Sequence, residues 1–215
     1  MELSIPTLSY ELNTTVRKHR EAKSYTQEEF AFLIGKELEE VQANEDLTTD
    51  SSYDLNYANF YARVLDKKPK DMFFENSFEE ATIKIYAKKN ITKKGIIYYK
   101  GTGTFNKKST EIESYALLDT PVYDVTTEDQ KRVLELLESW LRDRYFADGV
   151  TGYSLYNDLL KKHAEGQIAL PVSFRPILVA RALTTMCNRR KKPKLLPQRK
   201  LPKTDEKWLL YKEDV

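Results

Sequence analysis

The chain has one cysteine, two histidines and seven glycines in 215 residues. Each scarcity excludes a class of chemistry. Cys187 alone cannot close an internal disulfide, and with only His19 and His163 no Cys/His metal cage can be assembled. Few glycines leave little backbone for phosphate-cradling loops. The pair Gly101-Thr102-Gly103 lacks the third glycine of a dinucleotide loop, since Asn106 stands at that position, and a turn or twisted edge strand explains it better. No run approaches the roughly 20 apolar residues of a membrane-spanning helix. The start, MELSIPTLSYELNTT, lacks the basic and apolar regions of a secretory signal. The expectation is a cytoplasmic protein without membrane, metal or cofactor.

An enzyme is not expected either. His163 follows Lys161-Lys162 near a helix end, where an imidazolium complements the helix dipole. His19 sits among Arg17, Lys18 and Arg20. Neither has a Ser or Cys nucleophile nearby in sequence, and Cys187, closing an apolar helix, reads as a small hydrophobe. No spacing of carboxylates argues for a hydrolase.

The net charge of +2 conceals strong segregation. Residues 1–80 hold 9 basic against 17 acidic side chains, and residues 81–124 hold 8 against 4. Residues 125–187 balance, and 188–215 carry 10 against 4. Between Asn188 and Lys203 lie Arg189, Arg190, Lys191, Lys192, Lys194, Arg199, Lys200 and Lys203, with no acid among them. A polyanion would meet the carboxyl end first. Docking on an acidic protein surface, or simple solvation, accounts for the same run.

Hydrophobic periodicity and turn chemistry divide the chain into 1–76, 77–125 and 126–215. In the first segment helices are expected after Thr14-Thr15, after a Thr26/Glu29 capping box with Phe30, Ala31, Leu33 and Ile34 as stripe, and from Lys36 to Asn44 beyond a turn at Gly35. A further helix carries Leu55, Tyr57, Ala58, Tyr61, Ala62 and Leu65, and stops at Lys67-Lys68-Pro69. The middle segment alternates in Ala81–Tyr86 and is β-rich in Gly95–Phe105 and near Tyr115, so two or three short strands are expected. The third segment reads as three helices. The first is capped at Thr127/Gln130 with a stripe through Val133, Leu136, Leu137, Trp140, Leu141 and Tyr145. The second starts at Ser154, and the third is capped at Ser173 with Pro176 in its first turn. An extended basic stretch and a closing strand, Trp208–Leu210, follow. The fold class expected is α+β, mainly α.

Arg20, Thr26-Gln27-Glu28-Glu29, Ala31, Leu33-Ile34-Gly35, Val41, Glu45, the Ala62/Leu65 helix and the Pro69–Met72 close resemble the helix-turn-helix domain of the Cro/C1 repressor (XRE-like) family. The resemblance covers about the first third of the chain. It implies a helical bundle in which Gln27 meets a phosphate and the helix Lys36–Asn44 enters the major groove, with Lys36, Gln42 and Asn44 as further contacts. That helix, however, carries Glu37, Glu39 and Glu40, where DNA carries about one negative charge per 1.7 Å. A protein-docking or dimerising role suits it better than base reading.

The last 85 or so residues, through Trp140-Leu141, Ser154-Leu155-Tyr156, Ser173-Phe174 and Trp208-Leu209-Leu210, resemble in layout the winged-helix modules of phage and plasmid DNA-processing proteins. The resemblance implies that the third helix, with Arg175 and Arg181, faces the major groove and that the basic excursion is the wing. A DNA-binding regulatory protein of bacterial or mobile-element type is therefore expected. The alternative is a non-enzymatic interaction factor, antitoxin- or immunity-like, that uses the acidic amino-terminal unit. Finally, Tyr98, Tyr99 and Phe105 alternate with Lys93-Lys94, Lys100 and Lys107-Lys108, an interleaving that single-strand binders use, although sheet packing needs aromatics too.

Overall fold

The computed structural model describes residues 2–75, 80–105, 108–118, 123–200 and 208–214. Among them the chain is α+β, with seven α-helices and two antiparallel sheets. Contacts group it into two units, Met1–Gln27 with Leu38–Val122, and Glu28–Glu37 with Tyr123–Val215. These units do not coincide with the segments 1–76, 77–125 and 126–215. The strands of the middle segment pair with the amino terminus, and one short helix near the start belongs with the carboxyl-terminal half.

The chain opens with β1 (Glu2–Pro6), α1 (Thr7–Ala22), α2 (Gln27–Ile34), α3 (Leu38–Asn44) and α4 (Ala58–Val64), the last preceded and followed by 3-10 turns at Leu55–Tyr57 and Pro69–Met72. Three long strands, β2 (Thr82–Ile91), β3 (Ile96–Phe105) and β4 (Lys108–Leu118), complete the first unit, and its sheet runs β1-β2-β3-β4. Ile5 lies opposite Ile83 in the β1–β2 register. Along β2, Ile83, Ile85 and Ala87 are buried while Thr82, Lys84, Tyr86 and Lys88 are exposed, the alternation of a sheet packed on one face only. Tyr10 of α1 joins Ile5, Ile83, Ile85, Ala87 and Ile112 in one core cluster on that inner face. Gly101 is a packing glycine rather than a phosphate cradle. A Cβ there would lie 2.9 Å from the Ile112 side chain and 2.9 Å from the Tyr86 carbonyl.

The second unit adds α5 (Thr127–Arg142), β5 (Val150–Thr151), α6 (Gly152–Ala164), α7 (Pro176–Cys187), β6 (Lys194–Lys200) and β7 (Trp208–Asp214), with sheet order β5-β7-β6. The start of α5 is capped one residue earlier than the sequence suggested. The Asp129 N–H donates to Thr126 Oγ1 at 3.0 Å, and the Asp129 carboxylate accepts from the Thr126 N–H at 3.3 Å. Ser173 does not cap α7 but donates to Asp129 at 2.7 Å. Val133, Leu137, Trp140 and Leu141 of α5 and Ile177, Leu178, Ala182, Leu183 and Met186 of α7 are buried, whereas Leu136, Tyr145 and Ala180, whose spacing also points to the core, are half-buried at the edges of those faces.

Close packing explains why α2 belongs to this unit. At Gly152 a Cβ would meet the Phe32 carbonyl oxygen at 2.7 Å, and at Gly35 it would meet the Leu209 nitrogen at 3.3 Å. Gly35 also adopts φ +66°, so the turn closing α2 needs glycine on both counts. Among the described residues no helix is long and apolar enough to cross a membrane.

Candidate nucleic-acid interface

Helix α7 is largely a core helix, and what it leaves to solvent is narrow. Thr184 and Thr185 are exposed, Ala180 and Arg181 half-buried, and the exposed Asn188 closes the helix. These positions, spaced i, i+1, i+4, i+5 and i+8, form one stripe. Both threonine hydroxyls bond back to the carbonyls of Ala180 and Arg181, at 2.9 and 3.0 Å. The stripe runs in sequence into Arg189–Lys192, then into β6.

The basic residues beyond α7 divide by what holds them. Arg189 pairs with Glu138 of α5. Lys192 and Lys194 share Asp214 of β7, at 2.7 and 3.9 Å, and Arg199 pairs with Glu37. Arg190 and Lys191 are exposed and have no ion pair among the described residues. Lys200 ends β6, and Lys203 lies outside the described residues. The run counted as unopposed along the chain is therefore substantially compensated in space. Such half-exposed pairs are each worth only about 0–1 kcal/mol, so a phosphate can displace the carboxylate from most of them.

Arg175 is different. Its Nε and Nη2 donate to the two Glu29 oxygens at 2.5 Å each, and the Ile177 N–H donates to the same carboxylate at 3.3 Å. Glu29 has no solvent exposure. It thus caps the amino terminus of α7 from another helix, where the Arg175 side chain makes no cap bond. The hydrogen bonds to Glu29 raise the Arg175 pKa above its ordinary value, against the opposing effect of burial. Both Arg175 and Arg181 also lie over the Tyr123 ring, at 5.3 and 5.2 Å, and the Tyr123 hydroxyl donates to Glu28 at 2.7 Å. Arg175, expected to face a groove, is an internal structural group, and Arg181 is half committed to an aromatic ring.

The amino-terminal candidates are likewise engaged or dispersed. Gln27 Nε2 donates to Glu45 at 2.9 Å, and Asn44 Oδ1 accepts from the Ser51 hydroxyl at 2.6 Å. Gln42 is half-buried on α3, beside exposed Glu39 and Glu40. Lys36 belongs to the second unit, whereas Gln42 and Asn44 belong to the first. The Arg20 and Glu45 positions of the repressor resemblance do meet, as a buried bidentate pair.

Part of the aromatic and basic interleaving read in the sequence lies on the outer face of the first sheet, where Tyr86 and Lys88, not singled out there, join it. Tyr86 and Tyr98 are 45% and 47% exposed, while Tyr99, next to Tyr98, is buried and stacked on Tyr115 at 4.8 Å. Strand parity therefore separates the aromatic run into a packing tyrosine and a solvent tyrosine. Lys88, Lys93, Lys94 and Lys100 are exposed on the same strands and their connecting turn. The alternation in Ala81–Tyr86 was the available signal, but without a partner strand it could not say which face was covered.

Both histidines have structural partners. His19 Nε2 bonds the Asp71 carbonyl at 3.0 Å, and His163 Nδ1 bonds the Ile168 carbonyl at 3.1 Å. Burial raises the pKa of Cys187, the opposite of thiol activation. Among the described residues no three His, Cys, Asp or Glu side chains group as metal ligands. A cleft in the first unit near Asn13, Arg17 and Asp46 has about 20 Å³ of room, enough for one water and not for a metabolite.

Comparison with protein-family models, with curated proteins and with solved structures finds no match.

Proposed function

We propose that the protein is a DNA-binding regulator whose second unit contacts duplex DNA as a winged helix. The order α5, β5, α6, α7, β6, β7, with β7 between β5 and β6, supports this reading. It sets three helices before a β-hairpin that returns beside the short strand following the first of them. The observation that carries it is the solvent stripe of α7, Arg181, Thr184, Thr185 and Asn188, continuing into the uncompensated pair Arg190 and Lys191. Hydroxyl and amide groups with flanking cations suit a groove and its phosphates. Arg189, Lys192, Lys194 and Arg199 join by exchanging carboxylate for phosphate.

The test is a fluorescence-anisotropy titration with mixed-sequence duplex across several salt concentrations. Two engaged cations give a slope of log affinity on log salt of about −2, and six give about −5. Arg190→Gln with Lys191→Gln reduces the slope by about 2. An unchanged affinity and slope in that variant removes the second unit from the interface.

A protein-docking role for the first unit is the second reading, favoured by the exposed Glu39 and Glu40 of α3. Stable capture of a protein partner, with no duplex binding even at low salt, selects it.

A further inference from the structure

The outer face of the first sheet is built in a way that solvation alone does not require. In register, Tyr86 lies opposite Thr102, Lys88 opposite Lys100, and Asn90 opposite Tyr98. Two lysines thus stand side by side on neighbouring strands, of which Lys100 also makes a further interaction within the chain. A tyrosine stands on each side of that lysine row, one strand apart. Tyr86 and Tyr98 are separated by four residue steps along the strands, about 14 Å at 3.4 Å per residue, with the lysine row midway.

The turn joining the two strands adds Lys93 and Lys94. It is closed by Gly95 at φ +70° and by the Thr92 N–H donating to the Ile96 carbonyl at 2.9 Å. Lys88, Lys93 and Lys94 have no ion pair among the described residues. Glu2 at the β1 edge pairs with Lys84 at 3.6 Å and accepts from the Tyr86 hydroxyl, and Glu111 holds the register position opposite Thr102 on β4. The inner-face lysine behaves otherwise, since Lys89 is bound to Asp46 at 2.6 Å.

We propose that this face binds single-stranded nucleic acid, with Tyr86 and Tyr98 stacking on bases and Lys88, Lys93, Lys94 and Lys100 holding the intervening phosphates. Exposed aromatic rings alternating with cations on an open sheet meet the two demands of an unpaired strand, a π-surface for bases and a positive track for the backbone. A duplex hides its bases and leaves the tyrosines without a role. An acidic protein segment would satisfy the lysines but not the paired, open ring faces. This face lies wholly in the first unit, so the proposal stands apart from the duplex reading of the second.

The experiment uses the full chain and a fluorescein-labelled mixed-sequence single strand, with the same sequence as duplex in a parallel arm, at low and moderate salt. Tyr86→Ser with Tyr98→Ser lowers single-strand affinity by about 25-fold or more, while Tyr86→Phe with Tyr98→Phe, which keeps the rings, stays within about twofold. Lys88→Gln with Lys100→Gln makes the salt slope shallower by about 1.4. Duplex binding, governed by Arg190 and Lys191, is unchanged in all three variants. All four positions are exposed, and circular dichroism of each variant matches the parent. Absence of single-strand binding at low salt overturns the proposal. So does binding that the serine and glutamine pairs leave untouched, or loss in the phenylalanine pair equal to that in the serine pair.

Discussion

Arg20 and Glu45, 25 residues apart, are joined by two hydrogen bonds of 2.7 and 2.6 Å, with the arginine 4% and the glutamate 0% exposed. Neither oxygen of the carboxylate is idle. The Tyr53 hydroxyl donates to Oε1 at 3.2 Å and Gln27 to Oε2 at 2.9 Å. Arg20 Nη1 spends itself on the Tyr25 carbonyl at 2.7 Å. This network ties the end of α1 to the end of α3 and fixes the turn that leads into α2. Burial lowers the Arg20 pKa and Glu45 more than restores it, so the guanidinium stays charged. The same burial, with the Glu45 carboxylate beside it, pushes the Tyr53 hydroxyl well above its ordinary range, so it remains a donor.

Glu45→Ala leaves a buried guanidinium without its partner and lowers stability by about 3–5 kcal/mol. Arg20→Lys loses the planar fork and costs less, about 1–3 kcal/mol. Arg20→Met combined with Glu45→Leu costs less than the sum of Glu45→Ala and Arg20→Ala, since it strands no charge. Urea denaturation, comparing midpoints at constant slope, measures all four. A loss below about 1 kcal/mol in Glu45→Ala contradicts the role given to the pair.

The elements legible in the sequence are those whose apolar period is undiluted. The stripes of α5 and α7, and the stop of α2 at Gly35, follow from spacing and backbone chemistry alone. The start of α1 was hidden because it buries Thr7, Ser9, Glu11, Thr14, Thr15 and Arg17 alongside Tyr10, Leu12 and Val16, a mixed set whose polar members dilute the hydrophobic period. The short strand β1 exists through its pairing with β2, a partner far along the chain, so nothing local announces it. Of the candidate interface, Arg190 and Lys191 were readable as exposed charge. The compensation of Arg189, Lys192, Lys194 and Arg199 was not, because Glu138, Asp214 and Glu37 come from other elements. Charge counted along a chain carries no information on partners brought in by folding.

Acid sensitivity has a specific locus at Asp46. Burial alone would raise its pKa, but hydrogen bonds from Lys89 at 2.6 Å and from Thr48 outweigh it and hold the carboxyl below its ordinary 3.8. A depressed folded-state pKa means that the contribution is complete above 3.8, where the unfolded chain is already ionised. It is lost as pH falls below that value toward the folded pKa. Lys89→Gln weakens this linkage and moves the acid-unfolding midpoint to higher pH, while stability at pH 7 falls only slightly because the lysine is partly exposed. Circular dichroism followed through an acid titration reads the shift. An identical midpoint in the variant shows that Asp46 does not set the acid limit.

Arg175 and Arg190 are both arginines of the second unit, and they differ in what holds them: Arg175 is bound to Glu29, whereas Arg190 is exposed with no ion pair among the described residues. The Arg175 guanidinium is occupied by Glu29, which also receives the Ile177 N–H at the start of α7. Glu29→Ala therefore removes a cap and strands a cation together, for a loss of about 2–4 kcal/mol, discounted because Arg175 is 31% exposed. Arg175→Gln takes the guanidinium from the fully buried Glu29 carboxylate and destabilises by a comparable amount, and it leaves the salt slope of duplex binding unchanged when measured well below its melting temperature. Arg190→Gln does the reverse, with stability within about 0.5 kcal/mol of the parent and a slope shallower by about 1. Thermal unfolding and duplex titration on the two single variants separate these outcomes. If Arg175→Gln reduces the slope as much as Arg190→Gln while its unfolding curve is unaltered, Arg175 is a phosphate contact and Glu29 its resting partner in the absence of DNA.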